Sequence, residues 1–164
     1  MQEILSKRQI DQKINRLAHQ LLENCFEEGK IFIGGISGNG ITLAKRIAKI
    51  ITLNSDLEVL LFEIIINKDE PWDGKTKLTA DKEELMNGYI VLIDDVLNSG
   101  KTMQYALLEI LQFPTKAIKT VALVDRTHRR FPIKANFVGL QLSTTLKEHV
   151  KVILNDQEEK AYLV

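Results

Sequence analysis

An α/β fold, with a mostly parallel twisted sheet flanked by helices, is predicted for this chain of 164 residues. Three observations carry the prediction. Strand-like and helix-like segments alternate along the chain, and that βαβ rhythm implies right-handed crossovers over a parallel sheet. Tyr89–Ile93 is an unbroken apolar run, the pattern of a strand buried on both faces. A content of 45% hydrophobic and 27% charged residues suits a globular protein, and the length suits one domain over residues 1–164.

Ile10, Ile14, Leu17, Ala18, Leu21 and Leu22 recur at helical spacing, which predicts an amphipathic helix from about Lys7 to Glu28, closed by Gly29. Cys25 falls on its apolar side and reads as a packed hydrophobe. A short strand at Ile31–Ile33 leads into the glycine-rich GGISGNG, then a second helix from Ile41 to about Thr52. Leu57–Ile66 is β-branched and leucine-rich, as strands are. Asn67–Gly88 is polar, with a turn at Pro71-Trp72-Asp73-Gly74, and is long enough to read as a mobile functional loop. Tyr89–Ile93 is followed by Asp94 and Asp95, a loop, and a helix from Thr102 to about Gln112 that Pro114 stops. Ile118–Val124 reads as another buried strand. Val150–Leu154 and Ala161–Val164 read as short antiparallel additions, with a charged turn at Asp156–Lys160 between them.

Charge and cysteine content narrow the function classes. Twenty-two Lys and Arg balance 22 Asp and Glu, so there is no global basic field of the kind nucleic-acid binders carry. A single cysteine excludes an internal disulfide and a multi-cysteine zinc site. His19, His128 and His149 are too scattered to suggest a metal cluster. The N-terminal MQEILSKRQIDQK is polar and helical in pattern, unlike a signal peptide, and no apolar run approaches the ~20 residues of a membrane span. A soluble, cytoplasmic protein with no membrane partner is expected.

Ligands of open parallel sheets bind outside the carboxyl ends of the strands. Three polar segments fall there: Gly34–Gly40, Asp94–Thr102 and Asp125–Arg130. In VLIDDVLNSGKT, the small residues Asn98-Ser99-Gly100-Lys101-Thr102 open a helix, where backbone N–H groups and two hydroxyls can surround an anion. The GKT is not a nucleoside-triphosphate loop, because the first glycine of that motif falls on Asp95. A carboxylate pair before a phosphate cradle suits a phosphorylated sugar, with the carboxylates accepting from ribose hydroxyls. The same residues would also fit a plain strand end followed by a capped helix. GGISGNG misses the dinucleotide fingerprint, since its third glycine would be Leu43, and reads either as a phosphate-approaching loop or as a tight turn.

IDDVLNSGKT resembles the phosphoribosyl-pyrophosphate (PRPP) signature of the type I phosphoribosyltransferases. The stretches ILSKRQIDQKINRLAHQLLE, GISGNGITLAKRIAKII, ALVDRTHRRFPIKANFVG and STTLKEHVKVIL extend the likeness over nearly all of the chain outside Asn67–Asn87. They resemble one branch, the bifunctional pyrimidine-operon regulator and uracil phosphoribosyltransferase family. The resemblance implies the type I fold with a small hood built from the chain's ends. It also implies transfer of the phosphoribosyl group of PRPP to a nucleobase with release of pyrophosphate, chemistry that depends on positioning and charge stabilisation. Asp94 and Asp95 would hold the ribose hydroxyls as the catalytic pair. Val96, Asn98 and Ser99–Thr102 (Ser99, Gly100, Lys101, Thr102) would complete the ribose and 5-phosphate site. Ile36, Ser37, Gly38 and Asn39 would line the pyrophosphate, and Asp125, Arg126 and Lys134 would flank the base. Lys68 and Asp69 would belong to the mobile loop. Mg²⁺ would be held mainly through PRPP oxygens rather than by protein ligands. A homodimer or larger homo-oligomer is implied, and RNA is a partner that the neutral charge disfavours.

Three departures bear on the activity. Asn39 stands where the branch carries a basic residue, removing a charge-assisted contact worth about 1.5–3 kcal/mol. Asn67-Lys68-Asp69-Glu70 replaces an Arg-Asp-Asp run, so the charge stays while the bidentate fork is lost. Asn98 stands where oxopurine enzymes place an aspartate, which favours uracil as the base, whereas Lys134-Ala135-Asn136-Phe137-Val138-Gly139 resembles an oxopurine pattern. A PRPP- or nucleotide-binding regulator with weak turnover, with RNA as a further partner by resemblance to the family's regulators, is the alternative reading.

Overall fold

A computed structural model describes residues 1–164. The elements run β1 (Gln2–Leu5), α1 (Lys7–Cys25), β2 (Lys30–Ile36), α2 (Asn39–Asn54), β3 (Glu58–Ile65), β4 (Lys77–Leu78), α3 (Lys82–Leu85), β5 (Tyr89–Leu97), α4 (Lys101–Ile110), β6 (Ala117–Asp125), β7 (Phe137–Gln141), β8 (Val150–Leu154) and β9 (Glu159–Leu163). Six strands form the main sheet in the order β4-β3-β2-β5-β6-β7. All neighbours are parallel except β4, which runs antiparallel to β3. The predicted α/β class is therefore the observed one.

Alternate residues of the central strands feed two separate cores, as the period of two dictates. Ile31 and Ile33 of β2, with Val91 and Ile93 of β5, pack under α1 and α2. Phe32 and Ile36, with Ile90 and Leu92, pack on the other face with Met103, Ala106 and Ile110 of α4. Helix α1 begins on a capping box, in which Gln9 N donates to Ser6 Oγ at 3.3 Å and Ser6 N donates to Gln9 Oε1 at 2.9 Å.

Several boundaries differ from the sequence expectation. Helix α1 ends at Cys25, and Phe26–Glu28 form a turn before Gly29. Strand β2 runs through Gly34 and Gly35 to Ile36 because both glycines pair with β3. Strand β5 continues through Asp94 and Asp95 to Leu97, held in register by β6. The polar stretch after β3 contains β4 and α3. The polar N-terminus opens with β1, and β7 extends the main sheet beside β6.

The two chain ends meet in a second sheet of three antiparallel strands, ordered β1-β9-β8. Its inner residues Leu5, Val150, Val152, Leu154 and Ala161 join the core under α1 and α2. Arg46 of α2 fastens it further, donating to Glu159 Oε1 at 2.9 Å and to Asp11 of α1. This sheet stands over the carboxyl end of β5 as a hood. No helix is long and apolar enough to cross a membrane.

Candidate active site

From β2 the chain crosses through α2 to β3 on one side, whereas β5 lies on the other side of β2. The order therefore reverses between β2 and β5, and the loops that leave these two strands part to form a crevice at their carboxyl ends. Two of the three segments predicted to bind ligand leave the strands there, through Ser37–Asn39 after β2 and Asn98–Lys101 after β5, whereas Asp125–Arg130 follows β6.

Asp94 is 4% exposed and Asp95 half-buried. Each carboxylate is met by a side chain from a different loop. Lys68 Nζ lies 3.5 Å from Asp94 Oδ1. Asn39 Nδ2 donates to Asp95 Oδ2 at 2.9 Å and to the Val152 carbonyl of β8 at 2.8 Å. Asn39 thus links the β2–α2 loop, the carboxylate pair and the hood through one amide. Gly40 allows the close fit, since a Cβ there would lie 2.9 Å from the Ile93 carbonyl and 3.1 Å from Asp94 Oδ1.

Burial and the neighbouring Asp95 charge push the Asp94 carboxyl up to about 8, with Lys68 opposing the rise. A carboxyl whose folded value is raised contributes stability that is fully present below its unfolded value, and that stability is lost as pH rises through the folded value. The ligand-free protein is therefore expected to lose stability between about pH 4 and about pH 8. Asp94→Asn should flatten this slope and unfold at higher urea than wild type near the upper end, by about 0.5–2 kcal/mol. Urea midpoints across the range check it, and an unchanged slope in the variant would contradict it.

After β5, Asn98–Gly100 turn into α4. Gly100 has φ of +87°, and a Cβ there would lie 2.5 Å from Ile133 Cγ2, so only glycine fits. The first amides of α4 have few partners. Lys101 N donates to Ser99 Oγ at 3.2 Å, while Thr102 and Met103 N–H have no acceptor within the protein. These groups, with Ser99 and Gly100, line a hollow of about 120 Å³ beside Asp94 and Val96. A tetrahedral anion suits such a hollow at a helix N-terminus. A larger crevice of about 370 Å³ adjoins it, between Asp94, Asp95 and Val96 below and Val150–Ile153 and Tyr162 of the hood above, with Lys68 at its side.

Other expected site residues lie at different distances from this crevice. Ile36 is buried at the end of β2, Ser37 Oγ accepts from Ile66 N at 3.4 Å, and Gly38 is exposed with φ of +92°. Lys68 reaches the crevice, while Asp69 is exposed and its backbone N–H caps onto Asn67 Oδ1 at 3.0 Å. Asp125 and Arg126 are buried at the end of β6. Asp125 Oδ2 pairs with Arg129 at 2.7 Å. Arg126 donates to Thr144 Oγ1 at 2.7 Å and to the Thr145 carbonyl at 2.9 Å, fastening the segment that leads to β8. Lys134 is exposed on the way to β7, and its carbonyl accepts from Thr120 Oγ1 at 2.6 Å. Sequence reasoning missed the hood residues Val150–Ile153 and Tyr162, whose place depends on the pairing of the two chain ends.

Comparison with known proteins agrees with this geometry. Residues 1–156 match the family described as the phosphoribosyl transferase domain. A bifunctional protein PyrR from Macrococcus caseolyticus is 32% identical over 163 residues, covering 96% of this chain and 94% of the relative. One from Synechocystis is also 32% identical, over 95% of this chain and 91% of the relative. Among solved structures, the hypoxanthine phosphoribosyltransferase of Trypanosoma cruzi superposes with a TM-score of 0.78 at 12% identity, covering 99% of this chain and 95% of that one. A hypoxanthine-guanine phosphoribosyltransferase from Bacillus anthracis gives 0.70 at 21% identity, covering 87% and 83%. The fold is that of the type I phosphoribosyltransferases, and the chain belongs to the phosphoribosyl transferase domain family and, within it, to the family of the bifunctional PyrR proteins.

Proposed function

We propose that this protein transfers the phosphoribosyl group of PRPP to uracil with release of pyrophosphate. One observation carries the reading: the carboxylate pair Asp94–Asp95 stands between an amide-lined hollow and a hooded crevice. In this assignment the 5-phosphate occupies the hollow formed by Ser99–Thr102, and Asp94 and Asp95 accept from the ribose hydroxyls. The base enters between Val96 and the hood; Asp125, Arg126 and Lys134, expected to flank it, do not line that crevice. Pyrophosphate lies toward Ile36–Asn39, and Lys68 exchanges Asp94 for the leaving group. As pyrophosphate departs, positive charge grows on the ribose ring, and the negative charge carried by the Asp94–Asp95 pair stabilises it.

No three metal-ligating side chains cluster in this protein. The donor set fits Mg²⁺, which keeps its waters and binds through one or two carboxylates plus substrate phosphates, with Asp94 and Asp95 as the available carboxylates. Bound this way, Mg²⁺ would neutralise pyrophosphate charge.

The Asn39 contacts favour a second reading. Its amide is committed to Asp95 and Val152, and the loop offers no cation to pyrophosphate, as expected of a PRPP-binding regulator with weak turnover. RNA binding finds less support, because Arg126 and Arg129 spend their donors on the protein's own groups.

Pyrophosphate release from PRPP and Mg²⁺, measured with uracil, hypoxanthine, guanine and adenine in turn, distinguishes these readings. Release with uracil well above the purines is expected. Release with a purine alone would overturn the base assignment. PRPP binding without release from any base would favour the regulator.

A further inference from the structure

Every carbonyl from Leu97 to Gly100 has a partner, and those of Leu97, Asn98 and Ser99 are met from behind the loop. Leu97 O accepts from Arg126 N at 3.0 Å, and Ser99 O accepts from Arg130 N at 2.9 Å and Phe131 N at 3.0 Å. Asn98 O accepts from Arg129 Nη1 at 2.7 Å, and that nitrogen also lies 3.4 Å from Leu97 O. Gly100 O accepts from Gln104 N at 2.9 Å within α4.

A trans peptide is planar, so its N–H points opposite its C=O. Drawing the Asn98 and Ser99 carbonyls back toward the β6–β7 connection turns the next N–H groups, of Ser99 and Gly100, toward the hollow. Neither has an acceptor within the protein.

Arg129 is the centre of this backing. Besides the loop carbonyls, its Nε donates to Ile133 O at 2.7 Å and its Nη2 to Asp125 Oδ2 at 2.7 Å. Asp125 Oδ1 in turn accepts from Thr127 N at 2.9 Å. Thr127 has φ of +64°, a costly conformation for a β-branched residue, which persists only where surrounding bonds over-determine it. Ile133, gripped by the same guanidinium, fills the space a side chain at position 100 would need.

We infer that Arg129 is a positioning residue for phosphate. It binds no ligand itself; its fork holds the loop carbonyls back so that the amides of Ser99 and Gly100 face the phosphorylated sugar. Lysine at this position is a point charge without the fork and reaches fewer of these acceptors at once. The inference rests on the reading that the loop takes a 5-phosphate, and it gives a role of its own to Arg129, which the sequence placed only within the polar segment Asp125–Arg130.

The test titrates wild type, Arg129→Met and Arg129→Lys with PRPP in Mg²⁺, with ribose 5-phosphate, and with inorganic pyrophosphate. Pyrophosphate serves as the internal control, because it is assigned to the β2–α2 loop. Arg129→Met should lose at least about tenfold in affinity for ribose 5-phosphate and PRPP, with Arg129→Lys recovering part of it and pyrophosphate affinity changed little. Should the methionine variant fail to fold, the lysine variant carries the test, with a several-fold selective loss expected. Unchanged ribose 5-phosphate affinity in the folded variants, or equal loss for ribose 5-phosphate and pyrophosphate, would overturn the role of Arg129 alone. A wild-type protein that binds neither PRPP nor ribose 5-phosphate would instead overturn the functional reading beneath it.

Discussion

Asp95→Asn is expected to reduce phosphoribosyl transfer by about 10²-fold or more while the protein stays folded. Asp95 accepts from Asn39 Nδ2 through one oxygen and from the Val96 backbone N–H at 2.8 Å through the other. An amide at this position has one oxygen in place of two. It must either turn its NH₂ toward that of Asn39 or give up the bond to Val96. Both choices misplace the group assigned to the ribose hydroxyls, and both remove the negative charge that faces the developing cation. Asp95 is only half-buried, so the stability cost should be small beside the catalytic one. Turnover measured alongside circular dichroism separates the two, and near-normal turnover in a folded variant would remove Asp95 from the catalytic pair.

Gly100→Ala should be nearly as damaging, by another route. A left-handed backbone costs alanine about 1–2 kcal/mol. The added methyl also meets Ile133 Cγ2 at 2.5 Å, with Arg129 Cδ at 3.4 Å and the Phe131 carbonyl at 3.5 Å close behind. The loop cannot keep its path, so PRPP affinity should fall by at least about tenfold along with stability. Gly29→Ala is the control. Its φ is +74° but nothing lies within 4 Å, so it carries the backbone strain without the clash. Gly29→Ala should lower the unfolding midpoint and leave PRPP binding unchanged. Equal effects of the two substitutions on binding would show that packing against Ile133 is irrelevant to the loop.

What the sequence disclosed followed from local physics. Unbroken apolar runs marked the cores of β5 and β6, helical spacing marked α1, and the small polar residues after β5 marked the anion hollow. What it concealed depended on distant pairing. The exposed, polar start of β1 is uninformative until Gln2 meets Leu163 at the other end of the chain. Gly34 and Gly35 read as loop because their strand character comes from β3: Phe62 occupies the space beside Gly34, where a Cβ would lie 2.5 Å from its ring. The carboxylate pair was legible, but its partners Lys68 and Asn39 were not, since both contacts are made across loops. Arg129 stood out only as one charge among several in RTHRR. Its role depends on carbonyls about thirty residues earlier in the chain, which no spacing rule connects to it.

The central claim is that the crevice at the end of β5 is a PRPP site built on Asp95 and the Ser99–Thr102 loop. Calorimetric titration of wild type and Asp95→Asn with PRPP in Mg²⁺ addresses it most directly. Saturable one-site binding by wild type, weakened at least about tenfold in the variant, is the predicted result. Equal binding by the two proteins, or none by wild type, would contradict it.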